Sequence, residues 1–119
     1  MEKYQLILTE EQARLVAKCC EFYCRVKIGQ FKEITYQIAK EDFSEGWSER
    51  REEAERLLQK AKECIYPELR GVGSSYGMGK FDDADKAYDV YQVIRQQFYP
   101  DREIFTYQES VPEFRKIDS

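Results

Sequence analysis

Apolar residues recur along three stretches of the chain at the three- and four-residue spacing of an amphipathic helix. The first stretch follows Thr9-Glu-Glu-Gln12, which is a capping-box sequence with Thr9 as the N-cap. Gly29 is expected to bend or end this helix, and the apolar pattern then resumes. We expect the core face of the first helix to carry Leu15, Cys19, Phe22 and Val26. The whole pattern predicts helices over about residues 10–39, 48–66 and 82–99.

The limits of the second and third helices are predicted from capping residues and prolines. Ser48 and Asp82 are the expected N-caps, and Pro67 and Pro100 follow the expected helix ends. The apolar stripe of the second helix is Ala54, Leu57, Leu58, Ala61 and Ile65. The stripe of the third is Ala84, Ala87, Tyr88, Tyr91, Ile94 and Phe98, with Val90 and Val93 on a second face.

The two ends of the chain have a different pattern. Residues 4–9 are β-prone, with Leu6 and Leu8 alternating, and residues 101–119 read as a short strand or an extended arm. The two could pair, although two strands alone are marginal in water, or the arm could pair with a neighbouring subunit. We therefore predict one mainly α-helical domain, residues 1–119, with three to four helices in a bundle-like arrangement and short N- and C-terminal strands or arms.

Composition limits the function classes. A net charge of -4 and a pI near 5.0 exclude a general nucleic-acid binder, which needs a basic surface. Aromatic residues make up 14% of the chain, which predicts either an interface or stacking surface or a tyrosine-rich rim around an ordinary core. There is no apolar stretch of membrane-span length and no signal-peptide core, so no membrane partner and a cytoplasmic location are expected. The four cysteines match no standard zinc spacing and histidine is absent, so we predict no metal, no cofactor and no catalytic residues.

A glycine-rich loop is predicted over residues 70–81, where GVGSSYGMGKF holds four of the six glycines. It is not a Walker A loop, because Ser74 stands where the first glycine belongs and Phe81 replaces the magnesium-binding Ser or Thr. The dinucleotide fingerprint fails at Tyr76. Two interpretations remain open: a tight connection between helices, or an anion site built from backbone N–H groups, serine hydroxyls and the flanking Arg70 and Lys80.

A second cluster lies in residues 21–30, where Glu21 and Arg25 share one helix face. It is either a surface ion pair or a ligand site in which Arg25 and Lys27 bind phosphate and Glu21 orients a sugar or base. Tyr23 or Tyr76 would stack on that base. The full set of candidate ligand-binding residues is Glu21, Tyr23, Arg25, Lys27, Gln30, Arg70, Gly71, Gly73, Ser74, Ser75, Tyr76, Gly77 and Lys80.

The stretches FYCRVKIGQF (residues 22–31) and PELRGVGSSYGMGKF (residues 67–81) resemble segments of small proteins encoded by phages and prophages. The resemblance extends from Leu8 to about Tyr99 and implies the host cytosol as the setting, but no chemistry. Small phage proteins with basic and aromatic pockets include nucleotide sponges, homo-oligomers that sequester nucleotide signals of bacterial immunity. We therefore expect a non-catalytic, homo-oligomeric protein that sequesters a small phosphorylated nucleotide as a counter-defence.

Two other functions stay open at this point. The aromatic stripe and the terminal arm could form a protein–protein interaction module that binds a host or phage protein. A small nucleotide hydrolase is less favoured, because general acid–base chemistry would have to proceed without histidine.

Overall fold

The computed structural model describes residues 1–38 and 45–118. Within these ranges it contains helix α1 (Glu10–Lys27), a π-helical segment (Ile34–Ile38), helix α2 (Trp47–Ile65) and helix α3 (Asp82–Phe98). The mainly helical class is confirmed. Residue 39, where the first helical region was predicted to end, and residue 119 of the arm lie outside the described residues.

Helix α1 begins as its sequence predicts. The Thr9 hydroxyl accepts a hydrogen bond from the Gln12 N–H at 3.1 Å, and the Gln12 side-chain carbonyl accepts one from the Thr9 N–H at 3.0 Å. The acidic side chains of Glu10 and Glu11 occupy the positive end of the helix dipole. The helix ends at Lys27, two residues before Gly29, whose φ of 102° is a left-handed conformation that glycine adopts without steric cost. The chain turns there, so the predicted second helical stretch is a separate π-helical segment.

The core lies between α1 and α3 and is built on small side chains of α1. Ala13 and Ala17 pack with Ile94 of α3, and Cys24 and Ile28 pack with Ala84. The predicted core face of α1 is therefore wrong at two of its positions: Leu15 is 61% exposed, and Cys19 is exposed as well. Alanines form the contact because bulky side chains of α3 fill the space above them, an arrangement of large residues against small ones. The larger side chains at this contact are Val90, Tyr91 and Phe98.

Helix α2 does not pack against α1 or α3 in the described structure. Helix α2 contacts the π-helical segment and the glycine-rich loop that follows α2 in the sequence. Two residues of its predicted apolar stripe, Leu57 and Ile65, are consequently exposed, Leu57 by 52%. The N-cap is Gly46 and not Ser48, and the N-cap of α3 is Phe81 and not Asp82.

Of the predicted terminal strands or arms, the strand alternative is wrong: residues 1–38 and 45–118 contain no β-strand. Residues 1–7 are extended and exposed, and the C-terminal arm is held by a side chain in place of a partner strand. The Asp89 carboxylate, on a residue only 1% exposed, accepts hydrogen bonds from the Tyr107 and Gln108 N–H groups, both at 2.8 Å. Asp89 thus satisfies backbone donors that a strand would otherwise pair.

The chain is more extended than a compact monomer of its mass. Its accessible surface is 9082 Å², whereas about 6,800 Å² is typical for 14.2 kDa. The radius of gyration is 16.8 Å, against about 13.5 Å for a compact domain of this length. Among the described residues, no helix has both the length and the apolar character needed to cross a membrane.

The Asp89 contact yields a test of this fold. Replacing Asp89 by Asn leaves one of the two N–H groups without an acceptor, so we expect the free energy of unfolding to fall by about 2 kcal/mol. The arm should also become cleavable by protease in the otherwise folded protein. Urea denaturation with limited proteolysis measures both effects. Asp101→Asn, an exposed position, is the matched control, and equal stability of the two variants would contradict the assignment.

Candidate functional site

The glycine loop, residues 70–81, is attached directly to the end of α1. The Tyr76 N–H donates to the Ile28 carbonyl at 2.7 Å, and the Tyr66 hydroxyl donates to the Lys27 carbonyl at 2.7 Å. A Cβ added to Gly29 would lie 2.7 Å from the Leu69 Cδ1 and 3.7 Å from the Ser75 Cα, so only glycine permits this approach. The two basic segments singled out in the sequence therefore meet in space.

Three backbone N–H groups of the loop, those of Ser74, Tyr76 and Gly79, donate hydrogen bonds within the protein. The Ser74 N–H donates to the Gly71 carbonyl at 3.1 Å, and the Gly79 N–H donates to the Asp85 carboxylate at 2.8 Å. Together with the Tyr76 N–H, these donors already have acceptors, so they do not form the phosphate cradle that the glycines suggested. The positive φ angles of Gly73 and Gly79, 80° and 94°, allow these turns.

The loop carbonyls surround a residue that the sequence analysis did not select. Lys62 of α2 is only 3% exposed, and its ammonium donates to the Ser74 carbonyl at 2.8 Å and the Gly71 carbonyl at 3.1 Å. A longer contact of 3.4 Å reaches the Ser74 Oγ. No carboxylate of the described residues bonds to this ammonium. The sequence contained one indication that Lys62 is buried: it lies four residues after Leu58, on the apolar side of α2.

A cavity of about 210 Å³ lies beside this contact, between α2, the loop and the segment after α1; we call it the lysine cavity. Its polar lining is mixed in charge, since Lys32, Lys62 and Glu33 all border it. Three of the predicted site residues, Gln30, Gly73 and Ser74, also line it. The remaining lining residues are Gly29, Phe31, Leu58 and Gln59.

A second cavity, of about 110 Å³, lies between α1 and α3; we call it the arginine cavity. Arg25 forms an ion pair with Glu21 at 3.4 Å and donates to the Gln30 side-chain carbonyl at 3.2 Å. These three predicted residues are thus brought together, and Gln30 lines both cavities. Two residues of the lining, Tyr88 and Tyr91, were predicted from the sequence as part of the apolar stripe of the third helix. The rest of the lining is Cys24, Ile28 and Met78.

Cys24 lines the arginine cavity but is a poor nucleophile. Burial raises the pKa of its thiol to about 11, and the nearby Arg25 only partly opposes this shift. The thiol donates to the Glu21 carbonyl at 3.1 Å. Because the thiolate is the reactive form, Cys24 is almost entirely protonated and unreactive at neutral pH.

Two of the predicted residues are engaged by α3 instead of a cavity. The Tyr23 hydroxyl donates to the Asp83 carboxylate at 2.5 Å, and the Lys27 ammonium lies 3.6 Å from the same carboxylate. The hydrogen bond raises the pKa of Tyr23 and lowers the pKa of Asp83. Lys27 also lies 5.2 Å from the centre of the Phe81 ring.

The remaining predicted cations lie on the outside of the loop. Lys80 lies over the Tyr76 ring at 5.0 Å, and Arg70 is exposed and donates to the Pro67 carbonyl at 3.1 Å. The Tyr76 ring is packed edge-on against Tyr66, with centroids 5.1 Å apart. Neither cavity is lined by Lys27, Arg70 or Lys80. The same is true of Gly71, Ser75 and Gly77.

Comparisons of the chain with models of known protein families, with curated proteins and with solved structures found no match.

The approach of the loop to Gly29 yields a test of the site. We expect Gly29→Ala to destabilise the protein by roughly 1–3 kcal/mol, because the new methyl group meets the Leu69 side chain at a strained backbone position. Amide shifts of the loop residues should move as the Tyr76–Ile28 hydrogen bond is disturbed. Gly77→Ala is the control, since its Cβ would meet nothing within 4 Å. Two variants of equal stability and equal loop shifts would show that the close contact is absent in solution.

Proposed function

We propose that this protein is a non-catalytic, homo-oligomeric binding protein that captures a small phosphorylated nucleotide. The observation that carries the proposal is the pair of adjoining cavities at the junction of α1 and the glycine loop, with Gln30 common to both. Cationic groups, amides and aromatic rings are thereby combined at one place in a chain whose net charge is -4.

The chemistry of the linings suits a nucleotide. The arginine cavity combines the Arg25–Glu21 ion pair with the rings of Tyr88 and Tyr91, groups that recognise a base or sugar by hydrogen bonding and stacking. The lysine cavity supplies the ammonium groups of Lys32 and Lys62. At about 210 Å³ it is smaller than the roughly 300 Å³ at which typical ligand pockets begin, so one chain encloses only part of such a ligand.

The site offers little for catalysis. Cys24 lines the arginine cavity and is protonated at neutral pH, because burial raises the pKa of its thiol to about 11. The chain has no histidine to act as a general base. Binding without turnover therefore fits these residues better than hydrolysis. In the setting implied by the resemblance to phage proteins, the captured molecule is a nucleotide signal of bacterial immunity.

The ligand can be sought directly. We expect protein purified from infected or signalling cells to release a phosphorylated nucleotide on denaturation, identified by mass spectrometry. Reversing the charge of one cavity wall with Arg25→Glu should weaken nucleotide binding by roughly ten- to a hundredfold, because a charged hydrogen-bond donor to the base or sugar is replaced by a second carboxylate beside Glu21. The control is Arg115→Glu, an exposed position in the arm. Unaltered affinity of the Arg25 variant, or the absence of any nucleotide ligand, would refute the proposal.

A second candidate function, a protein–protein interaction module, is favoured by the surface of the chain. The accessible surface exceeds that of a compact monomer by about 2,300 Å², more than the roughly 800 Å² that each partner buries in a standard interface. Exposed apolar side chains on α1 and α2, including Leu15, Leu57 and Ile65, belong to this surface. Under the leading proposal a second copy of the chain covers it; under the alternative a different protein does.

Sedimentation separates these two cases. The leading proposal expects a mass at least twice the 14.2 kDa of the chain. We also expect Leu57→Glu with Ile65→Glu to lower this mass, because charges would be buried at the contact. Lys60→Glu, an exposed position of the same helix, is the control. A monomer that captures one host or phage protein stoichiometrically, with no bound nucleotide, would instead establish the interaction module.

A further inference from the structure

We propose that the lysine cavity is the subsite for the phosphoryl group of the ligand, with Lys62 at its inner wall and Lys32 at its exposed side. This assignment rests on the proposed nucleotide-binding function and specifies one end of the site. It replaces the phosphate contacts expected from Lys27, Arg70 and Lys80, which lie outside both cavities.

The first argument is the uncompensated charge of Lys62. Its ammonium is buried and held by neutral oxygens, the Gly71 and Ser74 carbonyls and the Ser74 hydroxyl. Neutral acceptors replace the hydration of an ammonium but do not cancel its charge, and a buried charge without an opposite partner is costly. An anion bound in the adjoining cavity supplies that partner.

The second argument is the balance of the lining. Two ammonium groups border the lysine cavity, whereas Glu33 is its one carboxylate among the described residues. Glu33 also accepts a hydrogen bond from the Gln37 amide at 2.8 Å, which partly satisfies it. The lining therefore carries a net charge of about +1, opposite in sign to the chain as a whole.

The third argument is the supply of donors that a phosphoryl group can use. The Lys62 contact with the Ser74 Oγ, at 3.4 Å, is its longest, so this hydrogen can turn to a ligand oxygen at little cost. The Gln59 amide donates only in long contacts, to the Glu63 carboxylate at 3.4 Å and the Arg70 carbonyl at 3.3 Å. Lys32 is exposed and adds a second cation.

These observations reverse the role first expected of the glycine loop. Three of its backbone N–H groups, those of Ser74, Tyr76 and Gly79, bond within the protein, and the Gly71 and Ser74 carbonyls orient the lysine that meets the anion. The glycines thus act as positioning residues for Lys62, while the ammonium groups make the contact with phosphate.

The test uses inorganic pyrophosphate as the probe, at constant ionic strength. In the wild-type protein, pyrophosphate should shift the NMR signals of the Lys62 ammonium and of the Gly73 and Ser74 amides. Lys62→Met should weaken pyrophosphate binding by roughly ten- to a hundredfold, while Lys60→Met on the exposed side of α2 leaves it unchanged. Lys32→Gln should weaken it by about two- to tenfold without disturbing the loop contact.

Each outcome decides the assignment. If Lys62→Met does not fold, the wild-type signal shifts and the Lys32→Gln affinity decide it. Shifts that map to Arg25 and Glu21 instead, or full pyrophosphate affinity in a folded Lys62→Met variant, would overturn it. A nucleotide normally gains affinity over the matching nucleoside from its phosphoryl group. If the Lys62→Met variant keeps this gain in full, only the present inference is refuted, and the proposed function stands. Absence of binding by pyrophosphate and by every nucleotide would refute the proposed function as well.

Discussion

The bonding of the Lys62 ammonium to the glycine loop is the contact on which the rest of the arrangement depends. Helix α2 does not pack against α1 or α3, so the loop carries much of its connection to the remainder of the described chain. The same loop is fixed on its other side by the Tyr76–Ile28 backbone hydrogen bond. The loop, together with the π-helical segment, therefore joins α2 to the α1–α3 pair, and both cavities lie along that junction.

The sequence predicted those features of the fold that local chemistry decides. The capping box at Thr9 and the interruption at Gly29 follow from backbone requirements that only particular residues meet, and both are present. The choice of the buried face of α1 was predicted wrongly at Leu15, because the sequence offered two stripes at helical spacing. The alanine stripe lies inside since the side chains of α3 are large, and this information comes from a segment about seventy residues away.

The candidate site was predictable only in part, for a related reason. The cluster of Glu21, Arg25 and Gln30 lies within ten residues, and helical geometry alone brings two of its members together. In the sequence, Lys62 is hard to distinguish from the other charged residues of the second helix. Its burial depends on the carbonyl groups of Gly71 and Ser74, which lie in a different segment of the chain. The composition points to the glycines as a candidate anion site, but the direction of the loop's backbone dipoles, with the Gly71 and Ser74 carbonyls toward a cation, cannot be read from composition.

The separation of α2 from the other helices has a thermodynamic consequence. A ligand of the proposed kind, bound between α2 and the loop, would reinforce the Lys62 contact that holds α2 to the rest of the chain, so its binding free energy would add to the local opening free energy of α2. The same ligand adds little to the α1–α3 core, which is already closed by its own packing. Occupancy of the site is thereby linked to the order of one helix, and hydrogen exchange along α2 becomes a measure of how much ligand the protein holds.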